Sequence, residues 1–425
     1  MYKLKTAPNG LNLVTIPMTG AKTTAILIIM ATGSKHETKS TSGLSHFLEH
    51  MFFKGTKKRP DTLMISSELD SLGGEYNAFT DKEYTGFWIK TAAKQIVPAI
   101  NVLSDMLLNS KFDQTEIKRE SGVITEEVNM YLDNPMMHIE DVFDECLYGD
   151  TPAGWSVIGT KANIARFNRQ DFIKYFKSQY KSKSTFVCLA GKLPKNSEKL
   201  LEKTFKNFSR GVAKKKLVTK EKQVKPMVKL EYKKTDQAHF SLGVRTVPYG
   251  TKEEATLKVL GTILGGPMSS RLFINLRERN GLCYYVKTQN MNLSDTGYLT
   301  TRAGVTVDKI TKAIQIIIGE YKKIAAELIT EEELIRVKQF VAGRIMLGLE
   351  SPDDVASWYA MQLVLNHQQP KKRKPITPEE FLTAINKVTR QDVQKLAQRI
   401  FISKNLNLAI IGPYKDKKVF ERLLK

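Results

Sequence analysis

The sequence predicts an α+β protein in which one domain is used twice, each copy an antiparallel-rich sheet packed with helices. Three observations predict it. Short runs of β-branched and apolar residues interleave with longer stretches whose apolar residues recur at helical spacing. Landmarks return at a near-constant distance: Asp133-Asn134-Pro135 ends one helical stretch and Glu350-Ser351-Pro352 ends another, with Pro352 217 residues after Pro135. The strand closing at Gly191 is matched by one closing at Gly412, 221 residues on. Finally, 425 residues exceed what one ordinary core accommodates. The expected division is a first domain over 1–209, a Lys-rich linker over 210–227 and a homologous second domain over 228–425.

Residues 11–17 and 23–32 read as strands, rich in Val, Ile and Thr, with Met18-Thr19-Gly20-Ala21 as the turn. After a loop over 33–42 comes a helix with Leu44, Phe47, Leu48 and Met51 on one side. A second helix over 62–72 is stopped by Gly73-Gly74, and 75–80 with 85–90 reads as a strand pair. Helical periodicity marks 96–108 and again 113–132, the latter ended by Pro135. Further helices lead to a strand over 184–191 and a helix from about Asn196. The segment 210–226 is rich in lysine and poor in large apolar residues, as a linker is. The order then restarts: strands over 228–232 and 240–247, a helix over 253–264 ending at Gly265-Gly266, and a strand over 297–306. Helices over 310–328 and 330–349, a strand over 406–412 and a last helix complete the repeat.

Composition narrows the function classes. With 41% apolar and 26% charged residues the chain is neither disordered nor membrane-embedded, and no apolar run is long enough to span a bilayer. The first residues lead into a strand without the apolar core of a signal peptide. Cys146, Cys188 and Cys283 are odd in number, far apart and without zinc-site spacing, which predicts reduced thiols and a cytoplasmic location. The net charge of +22 raises nucleic acid, anionic membranes and acidic peptides as partners. The lysines are dispersed outside 213–226 and no nucleic-acid-binding module is present, so specific nucleic-acid recognition is not expected.

One stretch carries chemistry: His46-Phe47-Leu48-Glu49-His50. On a helix, His46 and His50 lie one above the other on a single face and can hold one divalent cation. Glu49 then sits beside the cation, where it can take a proton from water held there. This is the inverted zinc motif H-x-x-E-H. A catalytic zinc takes three protein ligands, and the helix over 113–132 offers carboxylates. Glu120 and Glu127 are two turns apart on one face, so one could bind the metal while the other orients a histidine. At an offset of 217, Glu126-Glu127 falls on Gly343-Arg344, and the second half has no H-x-x-E-H. Residues that serve the fold alone should recur in both halves, so their confinement to one half favours function.

The stretch from His46 to Thr56, with Glu120-Ser121-Gly122-Val123-Ile124-Thr125-Glu126-Glu127 downstream, resembles the pitrilysin family of zinc metallopeptidases, which includes insulin-degrading enzyme and the mitochondrial processing peptidase. The resemblance spans essentially the whole chain, and its length is similar to the short bacterial and processing-peptidase branch, whose subunits pair into a closed chamber. It implies one zinc per chain held by His46, His50 and Glu127, with Glu126 as the competitor for the third place. It further implies Glu120 as an acid behind the ligands and Glu49 as the proton acceptor of a peptide-bond hydrolase. Asn77-Ala78-Phe79-Thr80 resembles the family's N-A-F-T strand, an edge to which an extended peptide adds. Ser269-Ser270-Arg271-Leu272-Phe273 and the stretch from Leu276 to Tyr284 resemble second-half signatures in which Arg277 and Tyr284 hold substrate carbonyls and stabilise the oxyanion.

The implied function is a zinc endopeptidase acting on peptides or unstructured segments. Both halves keep their working residues, so a homodimer is expected ahead of a heterodimer with a related subunit. The alternative is a non-catalytic structural or assembly subunit of the same fold, whose mark would be a lost zinc ligand. The strongly basic chain argues against a preference for basic presequences unless acids line the inner wall.

Overall fold

The computed structural model describes residues 2–425, which form two compact units. The first holds a six-stranded sheet of β1 (Lys3–Thr6), β2 (Asn12–Pro17), β3 (Thr23–Met30), β4 (Glu75–Thr80), β5 (Thr85–Ala92) and β6 (Thr185–Gly191), in the order β1-β2-β6-β3-β5-β4. The second holds β7 (Met227–Tyr232), β8 (Gln237–Thr246), β9 (Cys283–Asn292), β10 (Gly297–Thr306) and β11 (Leu406–Gly412), in the order β7-β11-β8-β10-β9. Apart from β1, the two orders are the same, and in each sheet one pair alone is parallel, β2 with β6 and β7 with β11. The duplicated α+β architecture is therefore present strand for strand.

In the first unit β3 and β6 are buried almost throughout, which their continuous apolar runs, TTAILIIM and TFVCLAG, require of strands covered on both faces. The helices labelled here are α1 (Leu44–Met51), α2 (Thr62–Ser71), α3 (Ile96–Asn109), α4 (Gln114–Asp133) and α5 (Pro135–Tyr148). In this unit α3 packs on β3 and β5, and the helix Pro352–Gln368 packs on β3 and β6. In the second unit α5 packs on β11, β7 and β8.

Packing thus divides the chain differently from a cut at 210–227. Residues 130–155 belong to the second unit and 347–376 to the first, and the change at the linker falls after Leu217. Each half lends the other sheet a cover. In the second unit α5 buries Ile139, Val142, Phe143 and Leu147 against Tyr298, Ala409 and Ile411. Gly243 of β8 admits this cover, because a Cβ there would lie 2.9 Å from the Phe143 ring.

Two local differences stand out from the sequence expectation. Residues 283–292, read as no strand, form β9 at the sheet edge. Residues Phe273–Glu278 form a π-helical turn ahead of it. Among the described residues no helix is long and apolar enough to cross a membrane.

Candidate metal centre

The site is built in the first unit on α1, whose orientation follows from its own sequence. Leu44, Phe47, Leu48 and Met51 are buried, Phe47 edge-on to Phe172 at 4.9 Å, so His46 and His50 must face the other way. The start of the helix is fixed just as firmly. Gly43 sits at φ +95°, and a Cβ there would lie 2.6 Å from the Ile158 carbonyl oxygen. The buried Glu37 carboxyl accepts the amides of Gly43 (2.8 Å) and Ser45 (2.6 Å), supplying acceptors for the unpaired amides at the helix N-terminus. Burial pushes the Glu37 carboxyl up to about 8 in spite of those bonds.

The second wall is α4, anchored by Ile117, Ile124 and Val128, which carries Glu120 and Glu127 toward the histidines. One Glu127 oxygen lies 3.6 Å from His46 Nε2, and the other lies 3.6 Å from His50 Nε2. One donor atom from each of the three residues fits within a span of 4.8 Å. These separations exceed a hydrogen bond, and they approach the ~3.4 Å edge of a tetrahedron with metal–ligand bonds of about 2.1 Å. Glu126 is exposed and instead accepts from Asn129 Nδ2 at 3.2 Å.

Behind His50, the Glu120 carboxylate binds Nδ1 at 2.9 Å and Lys54 Nζ at 2.7 Å. Burial would raise the Glu120 carboxyl, but His50 and Lys54 outweigh burial and hold it below its ordinary value. It therefore remains an anion, which accepts the hydrogen bond of His50 Nδ1–H and leaves Nε2 free to donate its lone pair. His50 itself is held above the ordinary histidine value, because Glu120, Glu49 and Glu127 outweigh its burial. His46 behaves oppositely. Burial and the neighbouring His50 push it down to about 3, so it is a neutral imidazole at physiological pH, as a ligand must be.

Glu49 is buried beside this cluster and accepts from Thr80 Oγ1 at 2.7 Å. Burial raises its carboxyl, the Thr80 bond and His50 pull it back, and Glu127 adds to the rise. The donor set fits a divalent cation. Glu49, Glu120 and Glu127 against Lys54 leave two negative charges next to two imidazoles, and two nitrogens with one carboxylate suit zinc.

The remaining predicted residues fall in two places. Asn77, Ala78, Phe79 and Thr80 lie on β4, the edge strand next to α1, where Asn77 is exposed and its Oδ1 accepts the Ala78 amide at 2.8 Å. Arg277 and Tyr284 belong to the second unit and are brought to each other. Arg277 Nη1 donates to the Tyr284 carbonyl at 2.8 Å, and its guanidinium lies 5.0 Å over the rings of Tyr284 and Phe273. The Tyr284 side chain is 80% exposed. Sequence reasoning missed Lys54 and Glu37. Lys54 stands four residues beyond His50, a helical spacing that could have marked it, whereas only the fold shows where Glu37 ends up.

The profile described as Insulinase (Peptidase family M16) matches residues 13–161, and that described as Peptidase M16 inactive domain matches residues 166–341. An uncharacterized zinc protease of Bacillus subtilis, YmxG, is 34% identical, covering 97% of this chain and 98% of its own length. An uncharacterized zinc protease of Streptomyces coelicolor is 30% identical over 97% of this chain and 90% of its own. Among solved structures, a protease from Helicobacter pylori shares the fold with a TM-score of 0.89 at 23% identity, covering 97% of this chain and 99% of that one.

Proposed function

Because the chain belongs to the insulinase family, peptidase family M16, we propose that it is a zinc-dependent endopeptidase that cuts peptides or unstructured segments inside a closed chamber. The observation that carries this reading is the cage of His46, His50 and Glu127 with Glu49 bonded to Thr80 at its side. Zinc, one per chain, supplies a Lewis acid that acidifies water and polarises a carbonyl. The chain's own residues do the rest. Glu49 takes up the proton of the attacking water and later gives it to the leaving amine. Its burial keeps its affinity for protons high enough for that exchange, and Thr80 fixes which oxygen faces the reacting groups. Glu120 keeps His50 in the tautomer that donates from Nε2, and Lys54 keeps Glu120 ionised.

In this reading the exposed side of β4, with Asn77 to Thr80, takes the substrate as an added strand, and Arg277 with Tyr284 holds carbonyls and the oxyanion. The N-terminal half supplies the metal ligands and the C-terminal half further substrate contacts, two copies pair as a homodimer, and the enzyme works in the cytoplasm.

The test is hydrolysis of a mixed set of quenched unstructured peptides by wild type and by Glu49→Gln, with bound metal quantified in both. Wild type should cleave and carry one zinc per chain, and the variant should keep the metal while losing about 100- to 10,000-fold in rate, the usual worth of a general base. If both bind zinc and neither cleaves, a non-catalytic assembly subunit replaces the peptidase reading. If neither binds metal, the ligand assignment fails.

A further inference from the structure

The second unit repeats the three elements that build the metal cage, and there they enclose something else. In the first unit the cage lies among the helix after β3, the edge strand β4, and the long helix that precedes a proline-started one. The corresponding elements of the second unit are Glu254–Gly265 after β8, the edge strand β9, and Glu331–Gly348 ahead of Pro352. Between them lies a cleft of about 700 Å³, within the ~300–1,000 Å³ range of small-ligand sites. Lys258 of the first helix, Lys287 of β9 and Arg344 of the second helix line it. Arg344 stands where the offset of 217 places the counterpart of Glu127.

None of these three cations is in an ion pair or a side-chain hydrogen bond among the described residues. The acid lining the cleft is Glu254, whose carboxylate accepts from the Gly250 amide at 3.1 Å and from Asn292 Nδ2 at 3.4 Å. Three cations against one acid leave two positive charges, the reverse of the first unit's cage. Burial, with Lys287 and Arg344 close by, lowers the Lys258 ammonium, so the cations repel one another and the single acid offsets only part of their charge. Asn290 also lines the cleft, and its Oδ1 is buried without a hydrogen-bond partner while its Nδ2 is engaged with the Leu257 carbonyl at 2.8 Å. That acceptor can take an O–H or N–H from a ligand.

We propose that this cleft binds a doubly charged oxyanion group, held by Lys258, Lys287 and Arg344, with Asn290 Oδ1 accepting the ligand's own donor. The group can come from a small phosphorylated molecule or from paired acidic side chains of a peptide. Both present closely spaced anionic oxygens, and the two differ in what surrounds them.

The test is calorimetric titration of the full chain with inorganic phosphate and, separately, with hexaglutamate, at constant ionic strength near 0.1 M, where the screening length is about 10 Å. Two double variants carry the same change in charge: Lys258→Gln/Arg344→Gln in the cleft and Lys312→Gln/Lys322→Gln at exposed positions of a helix that does not line it. The result expected is saturable binding of at least one probe, one per chain, weakened at least tenfold by the cleft pair and unchanged by the control pair. Tighter binding of phosphate identifies the small-molecule source, and tighter binding of hexaglutamate the peptide source. The proposal is overturned if neither probe saturates, or if both double variants lose binding equally, which is sticking to a basic surface. Melting temperatures of both variants check the fold, and Lys287→Gln alone replaces the cleft pair if that pair melts early. Neither readout requires turnover, so the outcome stands apart from whether the chain hydrolyses peptides.

Discussion

Replacing Glu120 with alanine tests whether the acid behind the histidines tunes the metal. Its side chain is 5% exposed and makes two charge-assisted bonds, to His50 Nδ1 at 2.9 Å and to Lys54 Nζ at 2.7 Å. Only the first is coupled to the metal. A hydrogen bond to a charged group is worth about 1.5–3 kcal/mol, which at about 1.4 kcal/mol per decade is roughly a 10- to 100-fold change in affinity. The His50 side chain is 22% exposed, so water can replace part of the lost bond and the lower half of that range is expected. Glu120→Gln keeps an acceptor for Nδ1 and should lose less than Glu120→Ala. Zinc competition against a chromophoric chelator measures all three proteins, with the melting temperatures of the metal-free forms as a check on folding. Zinc affinity of Glu120→Ala within twofold of wild type, in a protein that melts normally, would refute the claim that this bond orients the ligand.

Removing the Thr80 hydroxyl in Thr80→Val should lower kcat about tenfold, equivalent to about 1.4 kcal/mol, while Thr80→Ser retains most of the rate. The Thr80 bond pulls the Glu49 pKa down, so its loss raises that pKa and must move the acid limb of the rate–pH profile to higher pH; an unmoved limb refutes the link. A third prediction concerns stability. Glu83 Oε1 receives Lys35 Nζ at 2.9 Å and Lys216 Nζ at 2.8 Å, with all three side chains at most 8% exposed. Glu83→Ala removes the buried carboxylate that two buried ammonium groups share and should destabilise the first unit by about 3–5 kcal/mol, a melting shift on the order of 10 °C. Thermal melting followed by circular dichroism reads it, and a shift under about 2 °C would refute a stabilising role for the Glu83 carboxylate. Chelation should abolish peptide cleavage in wild type and stoichiometric zinc should restore it, a result read directly from the fluorescence of the quenched peptides.

The parts of the site that could be read from sequence are those fixed within one helix. His46, Glu49 and His50 share α1, and Glu120 and Glu127 share α4, so helical periodicity alone places each set on one face. The bonds between elements could not be read. Thr80 reaches Glu49 because β4 packs beside α1, and Lys54 reaches Glu120 because the fold brings the end of α1 to α4, contacts between distant parts of the chain that no local pattern encodes. The strand β9 was illegible for a related reason. Its residues include Lys287, Asn290 and Asn292, poor strand formers, and it is held by eight paired residues of β10 alongside and by the helix Glu254–Gly265 on its face. Nor does an amphipathic helix state which sheet it covers, so the assignment of α5 and of Pro352–Gln368 to their units needed the structure.

What duplication conserves and what it frees can be separated residue by residue. The sheet order recurs because it depends on buried apolar residues such as Ala25 to Met30 and Phe240, Leu242 and Val244, where a smaller side chain opens a cavity. The polar side chains around the cage in one unit and the cleft in the other are under less of that constraint, since they lie at the edge of the apolar core and not within it. Histidines and acids at one and lysines and arginine at the other can therefore arise without disturbing either sheet. That both surfaces carry two uncompensated charges, of opposite sign, is not something packing demands. A site kept only as scaffold would drift toward neutral or paired side chains, because unpaired like charges repel. The imbalance in each unit is the physical reason to look for a ligand of the opposite charge at both.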